Sequence, residues 1–161
     1  MSDRLRFSLL VLTIAAAFSL RAAGALAAPT SPVVSGIPVR DAQATALSSH
    51  VVTYARRFVG VRYHYGGTTP STGFDCSGFV RYVYAHFGIE LPHYSVAQFH
   101  LGRKVRRDAL EPGDLVFFSG LGHVGLYVGD GRYIHAPHAG TSVSVEPLAA
   151  HRRYVGARRI L

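Results

Sequence analysis

The hydrophobic pattern of this chain changes period once, near residue 111, and that change limits the folds open to it. Before it, Ala44, Leu47, Val51, Tyr54, Ala55 and Phe58 recur at helical spacing over 41–59, with Gly60 as a stop. Phe79, Val80, Val83 and Phe87 form a second helical stripe from Cys76 to His86, ended by Gly88. A third, short helix is expected after Ser95 as its N-cap, reaching about Gly102. Beyond Glu111-Pro112-Gly113-Asp114, a turn, the pattern is that of strands. Residues 115–118 are an apolar run, and 122–128 alternate: Val124, Leu126 and Val128 on one face, His123, Gly125 and Tyr127 on the other. Further strands are expected at 132–136, near 141–145 and near 154–160, while 63–73 reads as a loop. Helices first and an antiparallel sheet second is an α+β arrangement.

The N-terminal end reads as an address. Arg4 and Arg6 precede an uncharged run over 7–20, shorter than the roughly 20 residues a membrane-spanning helix needs. Arg21 and a small-residue stretch containing Ala25-Leu26-Ala27 follow, the order of a secretory signal peptide cut after Ala27. The chain is thus divided into a signal peptide at 1–27, a Pro-containing linker at 28–45 and one domain at 46–161, periplasmic or secreted. With 48% hydrophobic and 16% charged residues it is not a disordered chain.

The single cysteine, Cys76, excludes an intramolecular disulfide and any multi-Cys zinc or iron–sulfur site. In an oxidising compartment an unpaired thiol is a liability, so it is either buried and inert or kept for chemistry. Cys76 opens a helix, where free backbone N–H groups favour a negative sulfur. Gly78, one turn in, allows a neighbouring chain or substrate close approach. A histidine alongside would complete activation as a thiolate–imidazolium pair. A three-residue loop Gly129-Asp130-Gly131 would pair Val128 with Arg132 and Gly125 with His135, placing His123 and His135 on one face about 7 Å apart. A two-residue Asp-Gly loop would put them on opposite faces. In the first register Gly125 leaves room on that face for the helix carrying Cys76, with His123 as base and His135 orienting it.

Tyr63-His64-Tyr65-Gly66-Gly67, Gly73-Phe74-Asp75-Cys76-Ser77-Gly78-Phe79-Val80, Leu91-Pro92 and Gln98 stand in the first half. Pro112-Gly113-Asp114-Leu115-Val116-Phe117-Phe118, His123-Val124-Gly125-Leu126-Tyr127-Val128-Gly129 and Ile134-His135-Ala136-Pro137 stand in the second. From about Leu47 to Ile160 this order of motifs resembles the NlpC/P60 cysteine peptidases. The resemblance implies a papain-like α+β core, N-terminal helices packed on an antiparallel sheet, and hydrolysis of amide bonds in cell-wall stem peptides or their cross-links. By position it implies Cys76 as nucleophile, His123 as general base and His135 as orienting residue. It further implies that Tyr63 assists beside the thiol and that Asp75 and Ser77 flank it and contact substrate. His93 is a departure, since many relatives carry Arg after Leu-Pro; it bears on substrate subsites rather than on the chemistry.

Other chemistries fit less well. His123, His135 and His138 lack a helical His-x-x-x-His or a nearby carboxylate, so no metal and no cofactor is expected. The only lysine, Lys104, is not preceded by Ser-x-x, which removes the serine transpeptidase motif. An inactive wall-binding or regulatory module, or an acyltransferase or amidase on the same scaffold, is the alternative reading. The net charge of +8 rests on arginine clusters. Export argues against nucleic acid as partner and leaves attraction to an anionic wall polymer or a membrane surface. The expected partners are peptidoglycan stem peptides, and the protein is expected to be a monomer.

Overall fold

The structure, a computed structural model, describes residues 39–161; the expected signal peptide and most of the expected linker lie outside the described residues. Helix α1 spans Val39–Arg56 and starts ahead of the first apolar repeat, because polar residues extend a helix without marking it in the pattern. Two short strands follow, β1 (Thr68–Thr69) and β2 (Gly73–Phe74), paired antiparallel within the segment expected to be loop. Two residues per strand are too few for alternation to register. Helices α2 (Cys76–Ala85) and α3 (Ser95–Phe99) complete the helical half. Ser95 is not the N-cap that its residue type suggested. It is the first helical residue, and its hydroxyl donates instead to the Leu121 carbonyl at 2.6 Å.

The second half forms a six-stranded antiparallel sheet in the order β3-β8-β4-β5-β6-β7. Its strands are β3 (Arg103–Val105), β4 (Leu115–Phe118), β5 (His123–Gly129), β6 (Arg132–His135), β7 (Ser144–Pro147) and β8 (Tyr154–Arg159). Strand β7 lies about one turn of chain later than expected, and β3 had no apolar signal, since Arg103 and Lys104 are exposed. One sheet face carries Leu115, Phe117, Val124, Leu126 and Ile134, packed on Phe79, Val80 and Val83 of α2 and Val51 and Ala55 of α1. The other carries Val116, Phe118, Tyr133 and Ala157, closed by Leu148. Buried Asp114 locks the far end, its carboxylate accepting from the Arg159 guanidinium at 2.7 and 2.8 Å and from Glu111 N–H at 2.8 Å.

The β5–β6 turn differs from the one expected, yet the strand register is the same. Gly129, not Val128, pairs with Arg132, so the loop is the two residues Asp130-Gly131. Both have positive φ, +52° and +66°, as a type I′ hairpin turn requires. The register slips between Tyr127 and Gly129, where Val128 is inserted as a bulge. Leu126 therefore still faces Ile134, and one step on Gly125 faces His135. The extra residue cancels the shorter loop, and both histidines keep one face.

Candidate active site

The segment before α2 is organised by one carboxylate. Asp75 is the N-cap: Oδ1 accepts from Gly78 N–H at 2.6 Å and from the Ser77 hydroxyl at 3.0 Å. Oδ2 accepts from Gly66 N–H at 3.0 Å and lies 2.8 Å from His93 Nε2. Asp75 and Ser77 are thus both buried and bonded within the protein, at 9% and 7% exposure. Gly78 is needed because a Cβ there would sit 2.1 Å from the Gly67 carbonyl oxygen. The close neighbour is the chain itself, the Gly67 backbone, whose carbonyl also accepts from Asp75 N–H at 3.0 Å. Gln98 spans from α3, its amide donating to the carbonyls of Ser77 at 3.1 Å and Pro92 at 2.8 Å.

Cys76 is partly exposed at the head of α2. Burial pushes its thiol up, while the backbone N–H of Val124 draws it down; the Asp75 charge raises it again and the N–H groups of Ser77 and Cys76 itself lower it. The Val124 N–H directed at the sulfur puts the thiol beside the first residues of β5, next to His123. Tyr63 lies within electrostatic reach of Cys76: burial, then the charges of Cys76 and Asp75, raise its hydroxyl. Its backbone is held by Thr141, whose carbonyl accepts from Tyr63 N–H at 2.9 Å.

His123 follows a turn in which Ser119, Gly120 and Leu121 all have positive φ, of 53°, 66° and 72°. Two of these three are not glycine, a local strain that the Ser95–Leu121 bond helps to hold. His123 Nε2 is 2.7 Å from His135 Nδ1, so one of these nitrogens donates to the other. His135 is 3% exposed, and its Nε2 lies 3.3 Å from Glu146 Oε1, close enough for an ionic contact but not aligned as a good hydrogen bond. Burial, then the charges of His135, His151 and His138, pull His123 down to about 3. His135 is also lowered, by burial, against the opposing pull of Glu146.

One expectation needs correction. The face bearing His123 and His135 is not the one α2 packs on: His123 lies by Phe118 and His135 by Tyr133, with ring centroids 6.0 and 4.5 Å apart. The space at Gly125 serves Tyr133 and His135, whose Cδ2 and Cβ would lie 2.6 and 3.2 Å from an added Cβ. The thiol instead lies near the start of β5, where the Val124 N–H acts on it. Burial works against a thiolate–imidazolium pair in the free protein. A raised thiol and a lowered imidazole both oppose moving the proton, because burial penalises both charges.

A cleft of about 380 Å³ opens on this cluster, lined by His123, His135, His138, Glu146, His151 and Ser119 among others. A larger cavity of about 590 Å³, bounded by Ser48, Arg103, Pro112 and Arg159, contains none of these histidines, and Cys76 lines neither space. Among the described residues no group of three His, Cys, Asp or Glu side chains converges as a metal site would require. Sequence reasoning missed Glu146 and His151. Glu146 sits opposite Tyr133 on β7, and the His151 ring is parallel to that of His123 with centroids 6.1 Å apart. Neither carries a local signal; only the strand register and the return of the chain bring them in.

A cysteine at a capped helix start and a hydrogen-bonded histidine pair on neighbouring strands stand on an α+β fold. Residues 60–159 match the NlpC/P60 family, and the chain belongs to that family. It is 47% identical over 92 residues to the gamma-DL-glutamyl hydrolase of Bacillus subtilis, covering 53% of this chain and 22% of that protein. It is 44% identical over 108 residues to a probable endopeptidase NlpC homolog of Haemophilus influenzae (65% and 58% covered). With the murein DD-endopeptidase MepH of Escherichia coli it shares 40% over 114 residues (64% and 42%). The chain therefore spans between about a fifth and three fifths of the length of these relatives. Among solved structures, the peptidoglycan hydrolase RipB of Mycobacterium tuberculosis superposes with a TM-score of 0.69 at 32% identity, with 78% of this chain and 69% of that one covered. The NlpC/p60 domain of the peptidoglycan hydrolase SagA gives 0.64 at 37%, with 69% and 97% covered.

Proposed function

We propose that this protein is a cysteine peptidase that hydrolyses amide bonds in the stem peptides of peptidoglycan or in their cross-links. The observation that carries the reading is the hydrogen-bonded pair His123–His135, at 2.7 Å, on the strand whose first residues, through the Val124 N–H, act on the Cys76 thiol. The names of the relatives support the substrate class: a glutamyl hydrolase, a murein DD-endopeptidase and peptidoglycan hydrolases.

In this reading Cys76 is the nucleophile, His123 the general base and His135 the residue that orients it. The Cys76 proton moves to the free ring nitrogen of His123 as sulfur attacks the amide carbonyl, forming the S–C bond. Backbone N–H groups at the open end of α2 receive the oxyanion. Collapse breaks the C–N bond, and His123 returns the proton to the leaving amine. Water then gives a proton to His123, adds to the acyl carbon and expels the sulfur, which takes that proton back. Because burial works against both charges, proton transfer accompanies attack rather than preceding it. Tyr63 steadies the sulfur side with its hydroxyl. Asp75 and Ser77 hold the helix start and with it the position of Cys76.

The sequence of 1–27 supports export to the periplasm or beyond, and the arginine clusters support attraction to an anionic wall polymer or membrane surface by a monomer. Incubation of the full chain with purified cell-wall fragments, followed by mass spectrometry, tests the reading and identifies the bond. New amine and carboxyl termini are expected, absent with Cys76→Ala while circular dichroism stays unchanged. Cleavage that survives Cys76→Ala sinks the proposal.

A further inference from the structure

The bond between His123 and His135 can be made in two directions. His123 Nε2–H can donate to His135 Nδ1, which leaves the other nitrogen of His123 as a lone pair. Alternatively His135 Nδ1–H can donate to His123 Nε2, which leaves the other nitrogen of His123 protonated and useless as a base. Nothing within the pair prefers one direction. The preference comes from outside it, from β7.

Strand β7 is registered against β6 so that Ser144 faces His135 and Glu146 faces Tyr133. Paired residues share a face, so Glu146 lies on the histidine side of the sheet. Its Oε1 is 3.3 Å from His135 Nε2 and accepts from the Ser144 hydroxyl at 3.3 Å. His135 Nε2 is otherwise buried without a hydrogen-bond partner, and among the described residues the Glu146 carboxylate is the acceptor beside it. A carboxylate accepts and cannot donate. The proton of His135 therefore belongs on Nε2, its Nδ1 must accept, and His123 Nε2 must donate.

We infer that Glu146 is a positioning residue: it holds the His135 proton on Nε2 and so commits the histidine pair to the direction that leaves His123 free to take the Cys76 proton. The carboxylate also faces the positive charge that His123 acquires during attack, through His135. The Glu146 side chain is 43% exposed, so it is reachable by substitution without opening the core. The inference rests on the peptidase reading only for its kinetic readout.

The test uses the full chain labelled with ¹⁵N, as wild type, Glu146→Ala and Glu146→Gln. Long-range ¹H–¹⁵N spectra at neutral pH report which nitrogen of each histidine carries the proton. Wild type is expected to show both His123 and His135 protonated on Nε2. Glu146→Ala is expected to show His123 protonated partly on Nδ1. Its kcat on cell-wall fragments should fall about ten- to hundredfold, the usual penalty for losing an outer orienting partner, with KM unchanged. Glu146→Gln keeps an acceptor oxygen and should restore the Nε2 tautomers and most of kcat. Unchanged tautomers or unchanged kcat in Glu146→Ala overturn the inference, as does a Gln variant no better than Ala. If wild type cleaves no wall fragment, the peptidase reading falls, and the tautomers of the three proteins still decide the part assigned to Glu146.

Discussion

The two halves of the candidate site are held in opposite ways. On the sulfur side, Asp75 binds Ser77, Gly78, Gly66 and His93, and the nearest of these partners are two and three residues away in the chain. On the imidazole side, His123 meets His135 across a hairpin, and His135 meets Glu146 across the next one. The first half is built by local capping and close backbone packing, which tolerate almost no added volume. The second is built by strand register and ends on a half-exposed carboxylate. A nucleophile can be placed by a motif, whereas a base and its tautomer are placed by a sheet.

The sharpest break between the halves is chemical. His123→Ala should reduce kcat/KM about a thousandfold, within the range for loss of a general base. His135→Asn should lose only about tenfold, because an amide oxygen can still accept from His123 Nε2–H. Equal losses in the two variants would remove the division between base and orienting residue.

Packing provides the next contrast. Gly78→Ala drives a Cβ to 2.1 Å from the Gly67 carbonyl, a backbone atom fixed by its own bond to Asp75 N–H. Urea unfolding should show a loss of about 3 kcal/mol. Gly122→Ala, on the imidazole side, meets only the Ser119 carbonyl at 3.3 Å and should lose less than about 1 kcal/mol. A Gly78→Ala protein as stable as wild type would contradict the tight backbone seat of α2.

Acid should act on the imidazole side. His123 has a folded value of about 3, below the 6.5 of an unfolded histidine, so the unfolded chain binds its proton first as pH falls. Stability from this group is full above about pH 6.5 and lost progressively below it, by about 2 kcal/mol at pH 5. Unfolding measured at pH 7 and pH 5 should show this loss in wild type and a smaller one in His123→Gln. A flat profile in wild type would mean that the imidazole is not held neutral by burial.

The smallest effect is on the free thiol. With Cys76 raised by burial, its alkylation by iodoacetamide should keep accelerating with pH through the range of an ordinary thiol. A plateau below pH 7 would instead reveal a preformed thiolate–imidazolium pair.

Much of this was legible without coordinates. Helical spacing marked α1 and α2, an apolar run marked β4, alternation marked β5, and the motif around Cys76 marked a helix start. The β5–β6 turn was misread as three residues, and the histidines share a face only because the Val128 bulge compensates. Bulges leave no periodic trace, since a single inserted residue looks like any other apolar position. The side of the sheet that α2 covers was also misread, because alternation says which residues share a face and not which face is packed. Glu146 was invisible for a related reason: its partners lie on another strand, and an exposed Glu near a strand end is ordinary in sequence.

What the residue order determined by itself is whatever arises from neighbours along the chain: the period of each segment, the capped helix start, and the Asp-Gly turn with its left-handed residues. What only the folded molecule decided is the contact between His123 and His135, the burial that raises the thiol and lowers the imidazole, and the entry of Glu146. These depend on burial and on strand register, and both are properties of segments brought together across the sheet rather than of any one stretch.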